Sequence, residues 1–237
     1  MSATAYQTLI LQEGELPLSP DGRRNRLREH RCTTTLVWPV GVKPTSANSV
    51  IVDPCFTPRG WETAVARLAT LGSAPADISY YFVTHQHLDH ALAVPQGVDR
   101  PSWQLWGPGW RAGFPVLAAV ACPGHAPDLQ ALRFPSESGE VWIVGDAILS
   151  LEWLLDWRCY WPNGYDVDET VQTWRSVAAI LAAARVVIPG HGPAIAVTAA
   201  LLRDLVEGFA EAPHATSCPD VMTALEVRHT ELMTLAK

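Results

Sequence analysis

Apolar residues recur along the chain in short runs separated by Gly, Pro and charged positions, and the runs have two periods. Residues 6–11 alternate weakly. Residues 33–40 and 49–53 are β-branched and aromatic, and the second run ends at Pro54. These runs predict strands. Trp61, Val65, Leu68 and Leu71 then follow a helical spacing, opened by Thr57-Pro58 and closed by Gly72, which predicts the first helix. A loop containing Pro75 leads to another apolar run over residues 78–83. Beyond residue 90 the chain is broken by Pro95, Gly97, Pro101, Gly107, Pro108, Gly109 and Gly113, so short strands and turns are expected there. Residues 103–106, 116–120, 129–134 and 141–144 are candidate strands. Val171, Trp174, Val177, Ile180 and Leu181 predict a helix starting near Glu169, residues 186–188 a buried strand, and residues 198–210 and 221–235 two more helices around Pro213. The alternation predicts an α/β protein. No internal repeat, low-complexity tract or linker interrupts it, so residues 1–237 are expected to form one domain.

Ligand-type residues stand just past the strands. The run 78–83 opens into Thr84-His85-Gln86-His87-Leu88-Asp89-His90; residues 116–120 lead to Cys122-Pro123-Gly124-His125; residues 141–144 to Gly145-Asp146; residues 186–188 to Pro189-Gly190-His191. Imidazoles at i and i+2 face the same way while a chain stays extended, so His85 and His87 can meet one ion. Asp89 and His90 follow a turn and could face a second. Read singly, His125 and His191 are turn or core histidines and Asp146 a helix cap. Five of the eight histidines nonetheless fall at such ends, leaving His30, His214 and His229 as expected surface residues.

Taken in this order, His85, His87, Asp89, His90, His125, Asp146 and His191 closely resemble the His-x-His-x-Asp-His signature and later ligands of the metallo-β-lactamase superfamily. The resemblance runs from about residue 33 to residue 193 and includes the run ending in Asp53. It implies an αβ/βα four-layer sandwich with strand-end loops gathered along one edge. It also implies two divalent metal ions, zinc first, with iron or manganese as alternatives. His85, His87 and His125 would hold one ion, Asp89, His90 and His191 the other, and Asp146 would bridge them. Two such ions about 3.5–4 Å apart can lower the pKa of a shared water and polarise a carbonyl oxygen. The implied reaction is therefore hydrolysis of an ester, lactone or thioester, with Asp89 also able to orient the nucleophile. Asp53 is expected to support the site through hydrogen bonds. There are two departures: Cys55, where relatives often carry glycine, and Ala126-Pro127-Asp128, where they commonly carry threonine. A buried small side chain is the favoured reading of Cys55, over a redox or ligand role.

The bridging aspartate disfavours a true β-lactamase, and the sparse cations after His191 disfavour a glutathione thioesterase. Lactonase-like relatives place a tyrosine between the bridging aspartate and the last histidine. Tyr160 and Tyr165 lie in that interval, and with Trp153, Trp157 and Trp161 they could wall an apolar substrate pocket. Iron-dependent oxidoreductase chemistry and non-catalytic metal binding stay open on the same scaffold.

Composition changes this picture in three respects. A formal net charge of −7, with 17 Lys and Arg against 24 Asp and Glu, argues for a small-molecule substrate rather than nucleic acid or an acidic membrane. Arg23, Arg24, Arg26, Arg28 and Arg31 are a local exception, read as a solvated loop in preference to an anion-binding arm. Five dispersed cysteines without a Cys-x-x-Cys pair, no basic leader ahead of an apolar stretch and no transmembrane-length segment point to a cytoplasmic protein without a disulfide framework.

Overall fold

The computed structural model describes residues 5–106, 114, 116–157 and 166–235. Among the described residues ten strands form two five-stranded sheets. The first contains β1 (Tyr6–Gln12), β2 (Thr34–Pro39), β3 (Val50–Val52), β4 (Tyr80–Phe82) and β5 (Gln104–Leu105), in that order. The second contains β6 (Ala118–Ala121), β7 (Gln130–Ser136), β8 (Gly139–Gly145), β9 (Val186–Pro189) and β10 (Ile195–Ala196), ordered β10-β9-β8-β7-β6.

Side chains alternate across a strand, and here both sides are apolar because both sheet faces are covered. Val37, Val50, Val52 and Phe82 point between the sheets and meet Leu132, Phe134, Val141, Ile143 and Ile188. Their neighbours Leu36, Trp38 and Ile51 point outward onto α1 (Pro58–Thr70). On the other side Trp142, Val144 and Val187 point outward onto α3 (Val167–Ala183), α4 (Ala199–Ala210) and α5 (Pro219–Leu235). The result is helix, sheet, sheet, helix, as the α/β reading expected.

Local chemistry places the helices. Thr57 caps α1 by accepting from the Gly60 N–H, with Pro58 in the first turn. Its sheet-facing stripe is Gly60, Ala64 and Leu68, with Val65 left exposed against the expectation from spacing. Small residues win there because Gln12 lies directly over Gly60, where a Cβ would collide with its side chain. Asp166 and Glu169 form a reciprocal capping box at the start of α3. The five-residue α2 (Leu151–Leu155) and the two-residue β10 were not expected from the pattern.

β3 and β4 run parallel, as do β8 and β9. β6 and β8 both run antiparallel to β7, so they too point the same way. The C-terminal ends of β3, β4, β6, β8 and β9 carry Asp53, the histidine motif, His125, Asp146 and His191, where open α/β sheets generally collect ligands.

Candidate metal centre

The motif after β4 leaves the strand at once: residues 84–86 bend and residues 88–90 turn, with His90 N–H donating to the His87 carbonyl at 3.0 Å. This turn brings Asp89 and His90 away from His87. The ring centroids of His85 and His87 are 4.5 Å apart, and those of His85 and His90 are 4.3 Å apart.

Seven side chains converge in two groups that share one residue. His85, His87, His125 and Asp146 form the first; Asp89, His90, Asp146 and His191 form the second. In each group one ligand-type atom per residue lies within 4.8 Å of all the others. Asp146 divides its carboxylate between them. Its Oδ2 faces His125 Nε2 at 3.3 Å and His85 Nε2 at 3.9 Å, and its Oδ1 faces His90 Nε2 at 3.1 Å and His191 Nε2 at 3.2 Å. Glycine gives this carboxylate its room, because a Cβ on Gly190 would land on Asp146 Oδ1.

Asp53 sets the proton positions. Buried and held at φ 49°, it accepts from the Thr84 N–H at 2.7 Å, the Thr84 hydroxyl at 2.8 Å and His90 Nδ1 at 2.8 Å. The Thr84 hydroxyl, its proton committed to Asp53, accepts from His85 Nδ1 at 3.1 Å. His191 Nδ1 donates to the Arg31 carbonyl at 2.8 Å. In neutral imidazoles these bonds leave the Nε2 lone pairs of His85, His90 and His191 aimed into the cluster.

Those lone pairs find no hydrogen-bond donor among the described residues. His85 Nε2, His90 Nε2, His191 Nε2 and Asp146 Oδ1 are buried without a hydrogen-bond partner among the described residues. His90 Nε2 and His191 Nε2 sit 3.1 and 3.2 Å from Asp146 Oδ1, but a neutral ring that donates through Nδ1 presents a lone pair there and not an N–H. Buried polar atoms are nearly always satisfied, so four converging exceptions fit an absent cation. Imidazole with carboxylate suits zinc and also accepts iron or manganese.

Electrostatics separates the two groups. Burial lowers the His85 pKa to about 3, partly opposed by Asp146, and burial likewise lowers His125. Burial also opposes charge on His90, yet Asp146 and Asp53 on either side outweigh it and hold its pKa well above the ordinary value. Asp146 and Asp89 are both held well below the usual carboxylate range. Burial raises each, but His90 and His191 outweigh it at Asp146, and the His30 hydrogen bond with His90 outweighs it at Asp89.

His30 was expected to be a surface residue. It is half-exposed, but its Nε2 lies 3.0 Å from Asp89 Oδ2 and its ring centroid 5.4 Å from that of His191. No spacing signal marks it in the sequence, since it is carried in by a charged loop whose base is closed by the bridge between the adjacent Arg31 and the distant Glu15. His214 and His229 are half-buried and stand outside both groups. Cys55 is half-buried rather than buried; its Sγ lies 3.6 Å from the Leu88 carbonyl and burial raises its pKa, keeping it a thiol.

Trp153 and Trp157 are almost fully buried, yet each borders a cavity: Trp153 one that also includes His191 and Gly192, Trp157 one that includes Gly208 and Pro213. Trp157 is buried against Trp174 and Phe209 in the helical layer, and Trp153 packs on Leu16 and Leu149 with its Nε1 donating to the Leu18 carbonyl. Tyr160, Trp161 and Tyr165 lie outside the described residues.

Comparison with known proteins adds the following. The chain is 32% identical over 221 residues to metallo-beta-lactamase domain-containing protein 1 of Xenopus laevis, covering 81% of this chain and 88% of that protein. Its fold is similar to that of a probable metal-dependent hydrolase of Staphylococcus aureus, with TM-score 0.54, 12% identity and coverage of 81% and 91%. It is also similar to B. thuringiensis AiiA with N-decanoyl-L-homoserine bound at the active site, with TM-score 0.51, 14% identity and coverage of 81% and 94%. No family model matches the chain.

Proposed function

The chain belongs to the metallo-β-lactamase superfamily, and on that premise we propose that it is a metal-dependent hydrolase of ester, lactone or thioester bonds in a small molecule. The observation that carries this reading is the set of four buried, unsatisfied atoms on His85, His90, His191 and Asp146. His85, His87 and His125 would hold one divalent ion and Asp89, His90 and His191 the second, with Asp146 common to both groups. Zinc is the first choice of metal. When bound, the ions supply an acidified water and a Lewis acid for the carbonyl oxygen.

The chain's own residues do the rest. Asp53, Thr84 and the Arg31 carbonyl hold the imidazoles as neutral donors of Nε2. The sheet edge keeps these atoms dry, while His87 is exposed and marks the open side. Asp89 is partly exposed beside it, placed to orient the attacking water and take its proton. Tyr160 or Tyr165 assists the leaving group. Tyr160→Phe and Tyr165→Phe proteins that both keep full turnover would remove that role.

The test is metal analysis of purified protein beside a panel of lactones, thioesters, β-lactams and phosphodiesters. Two zinc ions with carbonyl-ester turnover that is lost in His87→Ala and Asp146→Ala proteins is the expected result. Iron with oxygen consumption, or full metal loading without turnover on any substrate, would overturn it.

A further inference from the structure

The arginine-rich segment is left unexplained by the metal centre, although it ends against it. The hairpin that carries it is clamped at its base by Glu15 and Arg31, which exchange backbone hydrogen bonds of 2.8 and 3.1 Å. A second bridge joins Leu18 and Arg24, and the Asn25 N–H donates to the Pro17 carbonyl at 2.7 Å. Three of the five arginines are committed to carboxylates. Arg23 pairs with Asp21 at 3.0 Å, Arg28 with Glu152 at 3.5 Å, and Arg31 with Glu15 and Glu29 at 3.0 Å each. Among the described residues, Arg24 and Arg26 pair with no carboxylate, in a protein whose net charge is −7.

Arg24 and Arg26 line, with Arg28, Pro17 and His30, a cavity of about 400 Å³. One of its lining residues, His30, places its Nε2 3.0 Å from Asp89 Oδ2, so a single side chain separates the cavity from the second ligand group. Guanidinium groups present paired N–H donors matched to the oxygens of carboxylate or phosphate, and a planar fork retains that match at an exposed site.

We propose that this cavity is an anion subsite: the substrate carries a carboxylate or phosphate that Arg24 and Arg26 hold while His30 flanks the group being hydrolysed. The inference rests on the hydrolase reading for its kinetics, but not for its binding. It narrows the substrate to an anionic small molecule and gives the basic hairpin a purpose that solvation alone does not.

The test has two arms. In the first, a neutral thioester and its carboxylate-bearing counterpart are compared with wild-type protein, an Arg24→Gln/Arg26→Gln double variant and an Arg24→Lys/Arg26→Lys variant. The Gln variant should raise KM for the anionic thioester by about three- to tenfold, as expected for two exposed charge contacts, with kcat and the neutral thioester unchanged. The Lys variant should recover part of the loss. Equal KM changes for both thioesters, or none, would overturn the subsite while leaving the hydrolase intact. In the second arm, inorganic phosphate and succinate are titrated calorimetrically into chelator-treated protein, so that metal coordination cannot contribute. The Gln variant should bind at least one of them about threefold or more weakly, and the ion affected identifies the anion. Unchanged affinity for both, or no binding to wild-type protein, would overturn the subsite. Both arginines are on an exposed loop, so neither arm depends on a folding change.

Discussion

Replacing Asp53 by asparagine inverts the proton positions of both ligand groups without changing the shape of the site. Asparagine tolerates the φ of 49° at this position, so the backbone is not the issue. The Thr84 N–H is a fixed donor at 2.7 Å and keeps the amide oxygen on its side. The amide nitrogen then occupies the place of Oδ2, facing Thr84 Oγ1 and His90 Nδ1, each at 2.8 Å. It donates to both. His90 must accept at Nδ1 and so carries its proton at Nε2. The Thr84 hydroxyl turns its own proton to His85 Nδ1, and His85 also becomes protonated at Nε2. Two lone pairs, one in each group, are lost. Loss of an orienting partner costs roughly 10–100-fold in metal affinity for each ligand, so Asp53→Asn should weaken binding of the pair of ions by about 10²–10⁴-fold, a penalty of about 3–6 kcal/mol. Competition against a chromophoric chelator measures it. Thr84→Val is the internal control: it cuts only the His85 branch and should loosen one ion by about 10–100-fold while sparing the other. An Asp53→Asn protein that binds two ions with wild-type affinity would refute the tautomer argument outright.

Three other expectations follow from the same geometry. Gly190→Ala puts a methyl onto Asp146 Oδ1 and about 3.0 Å from the Gly145 carbonyl carbon; overpacking of about 1–3 kcal/mol should lower Tm, and the displaced carboxylate should cost both ions, a result contradicted by stoichiometric metal in the variant. Thr33 Oγ1 accepts from the N–H groups of Gly14 and Gly192, both at 3.1 Å, and donates to the Gly192 carbonyl at 3.0 Å. Thr33→Val should therefore destabilise by about 2–4 kcal/mol, read as a shift of the denaturant midpoint that Thr33→Ser largely restores. Finally, the metal-free protein should be most stable near pH 6.5. Below that pH the unfolded chain takes up protons that buried His85 and His125, with lowered pKa values, refuse, so stability falls with the pH. Above it the raised pKa of His90 acts in the opposite sense, and stability is lost as His90 gives up its proton. Adding metal should move the optimum upward, because the ion replaces that proton; a metal-free Tm that climbs steadily from pH 6.5 to 9 would contradict the assignment.

The site was more legible than the loops that serve it. Strand runs such as residues 49–53 and 186–188 announce themselves because both of their faces are covered, and each delivers a polar residue at its end, where the period breaks. That is why Asp53, His85, Asp146 and His191 stand out in the sequence. α2 and β10 did not, since five and two residues hold too few repeats of a helical or strand period to reveal them. On α1, Trp61, Leu68 and Leu71 pack on the core as their spacing suggests, but Val65 does not: the close approach of Gln12 puts Gly60 and Ala64 on the buried side, a fact of tertiary packing. His30 was invisible because its position depends on the pairing of its neighbour Arg31 with Glu15, which no local period in the sequence reveals. Trp153 and Trp157, whose aromatic character suggested a pocket wall, bury nearly all of their surface, and Trp153 still borders a cavity that includes His191.

The hydrogen bond from His191 Nδ1 to the Arg31 carbonyl spans 160 residues, and Thr33 adds two more ties across nearly the same separation. Such a closure is among the most entropically demanding in the chain. During synthesis from the ribosome, the first ligand group lacks only Asp146 once His125 has emerged, whereas the second cannot close until β9 has been made and docked. The N-terminal hairpin carries its own closing bonds at Glu15 and Arg31, but its docking onto His191 must wait for β9. The two ions are consequently expected to enter in sequence, with the His191 ion last. Its arrival would report that both ends of the sandwich have met.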